Sequence, residues 1–280
     1  MQVESEVSNQ FGITANHFGV PMPQAPALAA AAGYDGVEWW VGGDLNDDPF
    51  WDPAIRSDYA AAAHEEGLAT PSIIISMVGK IDFPADASER ARGIRVIREG
   101  IQACVLTGVP VMMIPCLKRV RNTPADQIDR LVEDIRACAP DADAGGVVIG
   151  IEDMISADLN LDIMRRIDHP SVRLYYDIGN SIRFELDPYA EIATLGSWIC
   201  QHHVKDAVTN APIDDTGEPA NVPLLLGDGD ADFPRFLRAV HGTKFDGWFV
   251  LETLPVNDDP LGSATENLRR FRSWLAESNS

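Results

Sequence analysis

Short apolar runs and longer amphipathic segments alternate along nearly the whole chain. The runs at 11–16, 36–40, 71–76 and 109–115 read as the first four strands. Between them, 27–32, 53–67 and 88–107 read as helices, and Thr123-Pro124 supplies an N-cap and a first-turn proline for a fourth. In the third helix Ile94, Val96, Ile97, Ile101, Cys104 and Val105 form one stripe at the 3.6-residue period of a helix packed on a sheet. The second half repeats the unit. Its strands end at Glu152, Asp177, His203 and Glu252, and helices are expected near 161–167, 188–195, 233–240 and 266–277. The strands are apolar throughout rather than alternating, as parallel strands covered on both faces should be. Eight such units in 280 residues predict an α/β fold, a (β/α)8 barrel forming a single domain over 1–280. A doubly wound open sheet would call for a glycine-rich turn after the first strand, and the segment at 11–23 holds no G-x-G-x-x-G.

The polar residues that close the last four strands carry the candidate chemistry. Glu152, Asp177 and His203 are spaced 25 and 26 residues apart, one strand plus one helix with their turns. Glu252 follows 49 residues later, because a polar loop around 207–231 enlarges that unit. Carboxylates and an imidazole at the same end of successive parallel strands point into one mouth, an arrangement suited to a divalent metal and to acid–base chemistry. Glu152 and Glu252 each end an apolar run, where a lone buried carboxylate is costly without a partner. Neighbouring strand residues face opposite sides, so only one of His202 and His203 enters the mouth, and parity alone leaves the choice open. His17, just after the first strand, is a further mouth candidate, and Trp39-Trp40 reads either as a wall over a small ligand or as core. The turn Gly227-Asp228-Gly229-Asp230 before Asp232-Phe233-Pro234 reads as a helix start capped by Asp232, too acidic for a tight phosphate cradle.

Composition narrows the class. A net charge of −21 and a pI near 4.5 disfavour nucleic acid as a partner, and the densest basic segment, Lys118-Arg119-Val-Arg121, is short. There is no uncharged apolar stretch long enough to span a membrane and no basic-then-apolar leader, so a cytoplasmic protein without a membrane partner is expected. Cys104, Cys116, Cys138 and Cys200 are scattered without a C-x-x-C pair, which fits reduced thiols.

In its motifs the chain resembles the xylose isomerase-like superfamily of metal-dependent TIM barrels, the sugar phosphate isomerases and epimerases. The segments Asp177-Ile-Gly-Asn180, His203-Val-Lys-Asp206, Gly227-Asp-Gly229 through Asp232-Phe233, and Gly247-Trp-Phe-Val-Leu-Glu252 are similar to its pentulose-phosphate 3-epimerase branch, with a looser match at Gly33-Tyr-Asp-Gly-Val-Glu38. The resemblance implies Glu152, Asp177, His203 and Glu252 as ligands of one divalent ion, Mn²⁺ first with Mg²⁺ or Co²⁺ as alternatives. It implies Glu152 and Glu252 as the two acid–base groups. Asn180, Lys205, Asp206, His17, Trp39 and Asp158 are expected about the substrate. The implied activity is isomerisation or epimerisation of a small-molecule sugar or sugar phosphate through an enediolate, in a homodimer or homotetramer. A dehydratase or lyase on a keto-sugar, keto-inositol or keto-glycoside is the alternative. A three-metal nuclease and a metal-free sugar-binding barrel fit less well, the first for want of histidines at strand ends. Free-ketose 3-epimerases carry E-x-x-N-R-x-E after the fifth strand, where this chain has Glu152-Asp-Met-Ile-Ser-Ala-Asp158. They place a histidine where Asn180 stands and an arginine where Thr209 stands, which sets the chain apart from them.

Overall fold

The computed structural model describes residues 10–117, 123–215, 217–243 and 245–278; the basic segment at 118–121 lies outside them. Eight parallel strands close a barrel in sequence order: β1 Gln10–Thr14, β2 Gly36–Val41, β3 Ser72–Ile75, β4 Val111–Pro115, β5 Val148–Glu152, β6 Val172–Asp177, β7 Ile199–Val204 and β8 Trp248–Leu251. The outer helices are α1 Ala25–Ala32, α2 Pro53–Glu65, α4 Ala87–Thr107, α5 Ala125–Gly145, α6 Ala157–Ile167, α8 Pro188–Leu195, α9 Phe233–His241 and α10 Pro260–Ser278. Two short helices at the mouth, α3 Met77–Ile81 and α7 Ile178–Arg183, carry no legible period in the sequence and were not anticipated. No helix among the described residues is long and apolar enough to cross a membrane.

Part of the acid excess is spent on helix starts. Asp52, Asp86, Asp177, Asp187 and Asp232 each accept a backbone N–H in the first turn of α2, α4, α7, α8 and α9. Each such cap stabilises its helix by about 1 kcal/mol. Helix α10 begins six residues earlier than its apolar stripe suggests, because Asp259 accepts from Gly262 N (2.9 Å) and Pro260 fits the first turn.

Two cores result. The larger lies between the barrel's outer face and the helices, where Phe11, Phe233, Phe236, Phe249 and Phe271 pack ring on ring. The smaller plugs the barrel interior with Ile74, Val111, Met113, Tyr175 and Val250. Burial of each such side chain contributes about 1.5–3 kcal/mol. Above the plug the interior turns polar, with Glu38, Ser72, Tyr175, Gln201 and His203 all buried.

Strand β7 shows how parity sorts neighbours. His203 enters the barrel, whereas His202 sits on the outer face among Tyr176, Phe236, Phe245 and Phe249. Neither ring nitrogen of His202 has a hydrogen-bond partner, and burial pushes the imidazole down to about 3. A base whose folded pKa lies below its unfolded value contributes full stability above pH 6.5 and loses it as pH falls toward 3. We therefore expect acid destabilisation that His202→Phe relieves, by on the order of 3 kcal/mol at pH 4. Urea midpoints for both proteins between pH 8 and 4 test this; parallel pH profiles would contradict it.

Candidate metal centre

Each strand that ends in an acid or an imidazole does so because the pleat alternates. On β5 Gly150 and Glu152 face inward, on β6 Tyr175 and Asp177, and on β7 Gln201 and His203. Ligand atoms of Glu152, Asp177, His203 and Glu252 all lie within 4.8 Å of one another. The His203 ring bridges two layers. Its Nδ1 lies 3.0 Å from Glu152 Oε1 and 3.6 Å from Glu252 Oε2, and its Nε2 lies 2.8 Å from Glu38 Oε2.

Glu38 is wholly buried and heavily partnered. Its Oε1 accepts from the Ser72 hydroxyl (2.5 Å) and the Tyr175 hydroxyl (2.9 Å). Gln201, hydrogen-bonded to Ser72 (3.0 Å) and to the Pro71 carbonyl (3.0 Å), braces this layer from the side. Sequence reasoning did not single out Glu38. The signal was present, since a carboxylate inside Gly-Val-Glu38-Trp-Trp-Val meets the same argument that flagged Glu152.

Lys205 supplies positive charge from the seventh strand's end. Its Nζ lies 2.6 Å from both Asp177 Oδ2 and Glu252 Oε2. Glycine at 179 makes room for it, because a Cβ there would collide with the Lys205 side chain. Burial alone would raise Glu252, but the Lys205 ammonium and His203 outweigh it and hold this carboxyl down to about 2. Glu152 goes the other way: burial raises it, and its hydrogen bond to His203 offsets only part of the effect. Burial would likewise keep His203 neutral, yet Glu38, Glu252 and Glu152 together push it well above the usual range. Three carboxylates and one imidazole converging on a single point, with a lysine already drawn among them, are a donor set fitted to a hard divalent cation.

A cavity of about 270 Å³ opens over Glu152, Glu252, Asn180 and Lys205. Its lining includes Trp40, one of the two tryptophans read as a wall over a small ligand or as core, together with Ser76, Lys80, Arg183 and Asn221, which the sequence did not single out. The Asn180 side-chain oxygen is buried without a partner. Four residues expected about a substrate lie elsewhere. Trp39 faces outward against Phe50 and Tyr59, its neighbour Trp40 taking the inward position. Both His17 nitrogens are occupied by carbonyls, of Thr253 (2.8 Å) and Pro260 (2.9 Å), so the ring ties β1 to the eighth strand–helix loop. Asp158 is exposed in the first turn of α6. Asp206 turns away from the mouth and accepts from the backbone N–H groups of Gly227 (2.7 Å), Gly229 (2.9 Å) and Ala231 (3.1 Å). The glycine turn thus binds a carboxylate of the chain itself.

Residues 26–275 match the sequence profile of the xylose isomerase-like TIM barrels. The chain belongs to this family. Among its relatives, a 2-epi-5-epi-valiolone 7-phosphate 2-epimerase of Actinoplanes sp. is 27% identical over 221 residues, 77% of this chain and 76% of the relative. An L-ribulose-5-phosphate 3-epimerase, UlaE, of Salmonella paratyphi A is 25% identical over 259 residues, covering 89% and 86%. The solved structure of an L-ribulose 3-epimerase superposes with a TM-score of 0.79 over 97% of this chain and 96% of that one, at 17% identity. The xylose isomerase-like barrel is thus shared at the level of fold even where few residues are.

Proposed function

We propose that this xylose isomerase-like barrel is a divalent-metal-dependent epimerase or isomerase of a sugar or sugar phosphate. One observation carries the reading: Glu152 and Glu252 line one cavity and present ligand atoms within 4.8 Å of those of Asp177 and His203, yet their environments separate the two glutamates in acidity. Two carboxyls pushed apart in this way serve as an acid and a base at one pH. Glu252, held ionised by Lys205, takes the proton from the carbon beside the substrate carbonyl, and the electron pair moves onto the carbonyl oxygen as an enediolate. Glu152, which burial makes the weaker acid of the pair, returns one to the opposite face. The exchange is redox-neutral and inverts that carbon; in the reverse direction the roles exchange. Glu152, Asp177, His203 and Glu252 would hold a divalent cation, which when bound would supply positive charge to offset the charge developing on the substrate oxygens. The oxygen-rich donor set suits Mn²⁺, with Mg²⁺ and Co²⁺ as alternatives. Lys205 keeps Glu252 aimed and charged, and Asn180, with its free buried oxygen, is placed to accept from a substrate hydroxyl.

The test is proton NMR of ketopentoses and their 5-phosphates after incubation in D₂O with protein and Mn²⁺, the metal being removed before each spectrum. Deuterium should enter the carbon next to the carbonyl while the epimer accumulates. Absence of exchange in every substrate tried, with one metal ion bound per chain, would overturn the assignment.

A further inference from the structure

Two cations stand on the rim of the cavity on separate elements. Lys80 projects from α3, after β3, and among the described residues its Nζ donates to the Gly42 carbonyl alone, at 2.7 Å. Arg183 ends α7, after β6; its Nη2 approaches the Met154 sulfur at 3.8 Å and its guanidinium stacks on Phe184 at 4.9 Å. Among the described residues neither makes an ion pair, and Arg183 Nε is buried without a hydrogen-bond partner. Both nevertheless line the same cavity as Glu152 and Glu252. In barrel order β3 and β6 flank β4 and β5, so Lys80 and Arg183 line the cavity from either side of those two strands, with Pro115 and Cys116 in the same lining. This is notable in a chain of net charge −21, where acids outnumber bases 43 to 22 and most partners on offer are carboxylates.

We propose that Lys80 and Arg183 form a subsite for the phosphate monoester of the substrate, so that this protein acts on a phosphorylated rather than a free sugar. The proposal rests on the epimerase reading for the reacting end and adds the recognition of the far end. The cavity is bipolar: carboxylates converge at its floor, and two uncommitted cations stand at its rim. A small ketose whose carbonyl is at the floor presents its terminal carbon toward that rim. The volume, about 270 Å³, is below the ~300–1,000 Å³ of drug-sized sites and suits a ligand of that size. A phosphate monoester carries about −1.5 to −2 charges at neutral pH and takes charge-assisted hydrogen bonds from guanidinium and ammonium groups. The negative field of the whole chain repels it at long range, so its binding depends on local cations, whose effect survives within a screening length of ~8 Å.

The experiment compares kcat/KM for a ketopentose 5-phosphate and for its unphosphorylated parent, in the Mn²⁺-loaded wild type, Lys80→Ala and Arg183→Ala. The ratio within one protein cancels losses from impaired folding. The wild type should favour the phosphate ester, and each substitution should lower the ratio about tenfold or more, mainly through KM. Calorimetric titration with inorganic phosphate gives a second readout independent of turnover, with binding weakened to a similar degree. If no substrate is turned over but phosphate binding falls in the variants, the subsite stands and the epimerase reading fails. If the parent sugar is turned over as well as its phosphate, or the preference persists in both variants, the subsite is overturned and the epimerase reading stands.

Discussion

Replacing Glu152 or Glu252 by Gln is expected to stop interconversion of the epimers, lowering turnover by about 10²–10⁴-fold, the usual contribution of one acid–base group. The two glutamates both approach His203 Nδ1, at 3.0 and 3.6 Å, and their environments shift their acidity in opposite directions. Each variant therefore leaves one working carboxyl on one face of the substrate. In D₂O, Glu152→Gln should still wash deuterium into one epimer and Glu252→Gln into the other, while neither converts one to the other. Glutamine keeps an oxygen donor in the same place, and metal content measured on the same samples separates lost chemistry from lost cation. Interconversion at an undiminished rate in either variant would remove that residue from its role.

The second large effect concerns a residue that touches no substrate. Glu38→Gln should weaken divalent-metal binding about 10–100-fold, the cost commonly seen when a partner behind a ligating histidine is removed. The physical argument is orientation. Glu38 Oε2 holds His203 Nε2 at 2.8 Å, which presents Nδ1 to the carboxylates at the mouth. Its other oxygen is pinned by Ser72 and Tyr175, so the carboxylate cannot swing with the ring. Glutamine retains the size but replaces one acceptor by an NH₂ donor, which must then face either the imidazole N–H or the two hydroxyls. Mn²⁺ titration followed by EPR, at pH 7.5, measures the affinity directly. The substitution of Ser72 by Ala, which loosens Glu38 without removing it, should give a smaller loss. Equal affinity in wild type and Glu38→Gln would show that His203 is held by packing alone.

How much of this was legible beforehand divides by the kind of physics involved. Strand and helix order was readable because burial imposes a period on each element, and eight apolar runs separated by amphipathic segments admit few closures. The four residues at the strand ends were readable for a related reason: a carboxylate terminating an apolar run has nowhere to go but the mouth. Parity was the first thing to escape. Trp39 and Trp40, like His202 and His203, are chemically equivalent neighbours, and only the register of each strand in the closed barrel decides which one faces in. Loop partners were the second. Asp206 and Lys205 are adjacent and opposite in charge, yet one binds the backbone of a turn more than twenty residues on and the other bridges Asp177 and Glu252.

Lys80 and Arg183 mark the limit of sequence reading. Each lies in the last turn of a mouth helix too short to have a period, and nothing local distinguishes it from a solvated surface cation. Alternation of apolar and amphipathic segments, and the spacing of the terminal acids, were determined by the sequence itself, since each follows from local burial and chain length. Which cations share a cavity with those acids, and that Glu38 stands behind His203 from five strands away, was decided only by closing the barrel. Closure brings together groups more than a hundred residues apart, and no local rule records that distance.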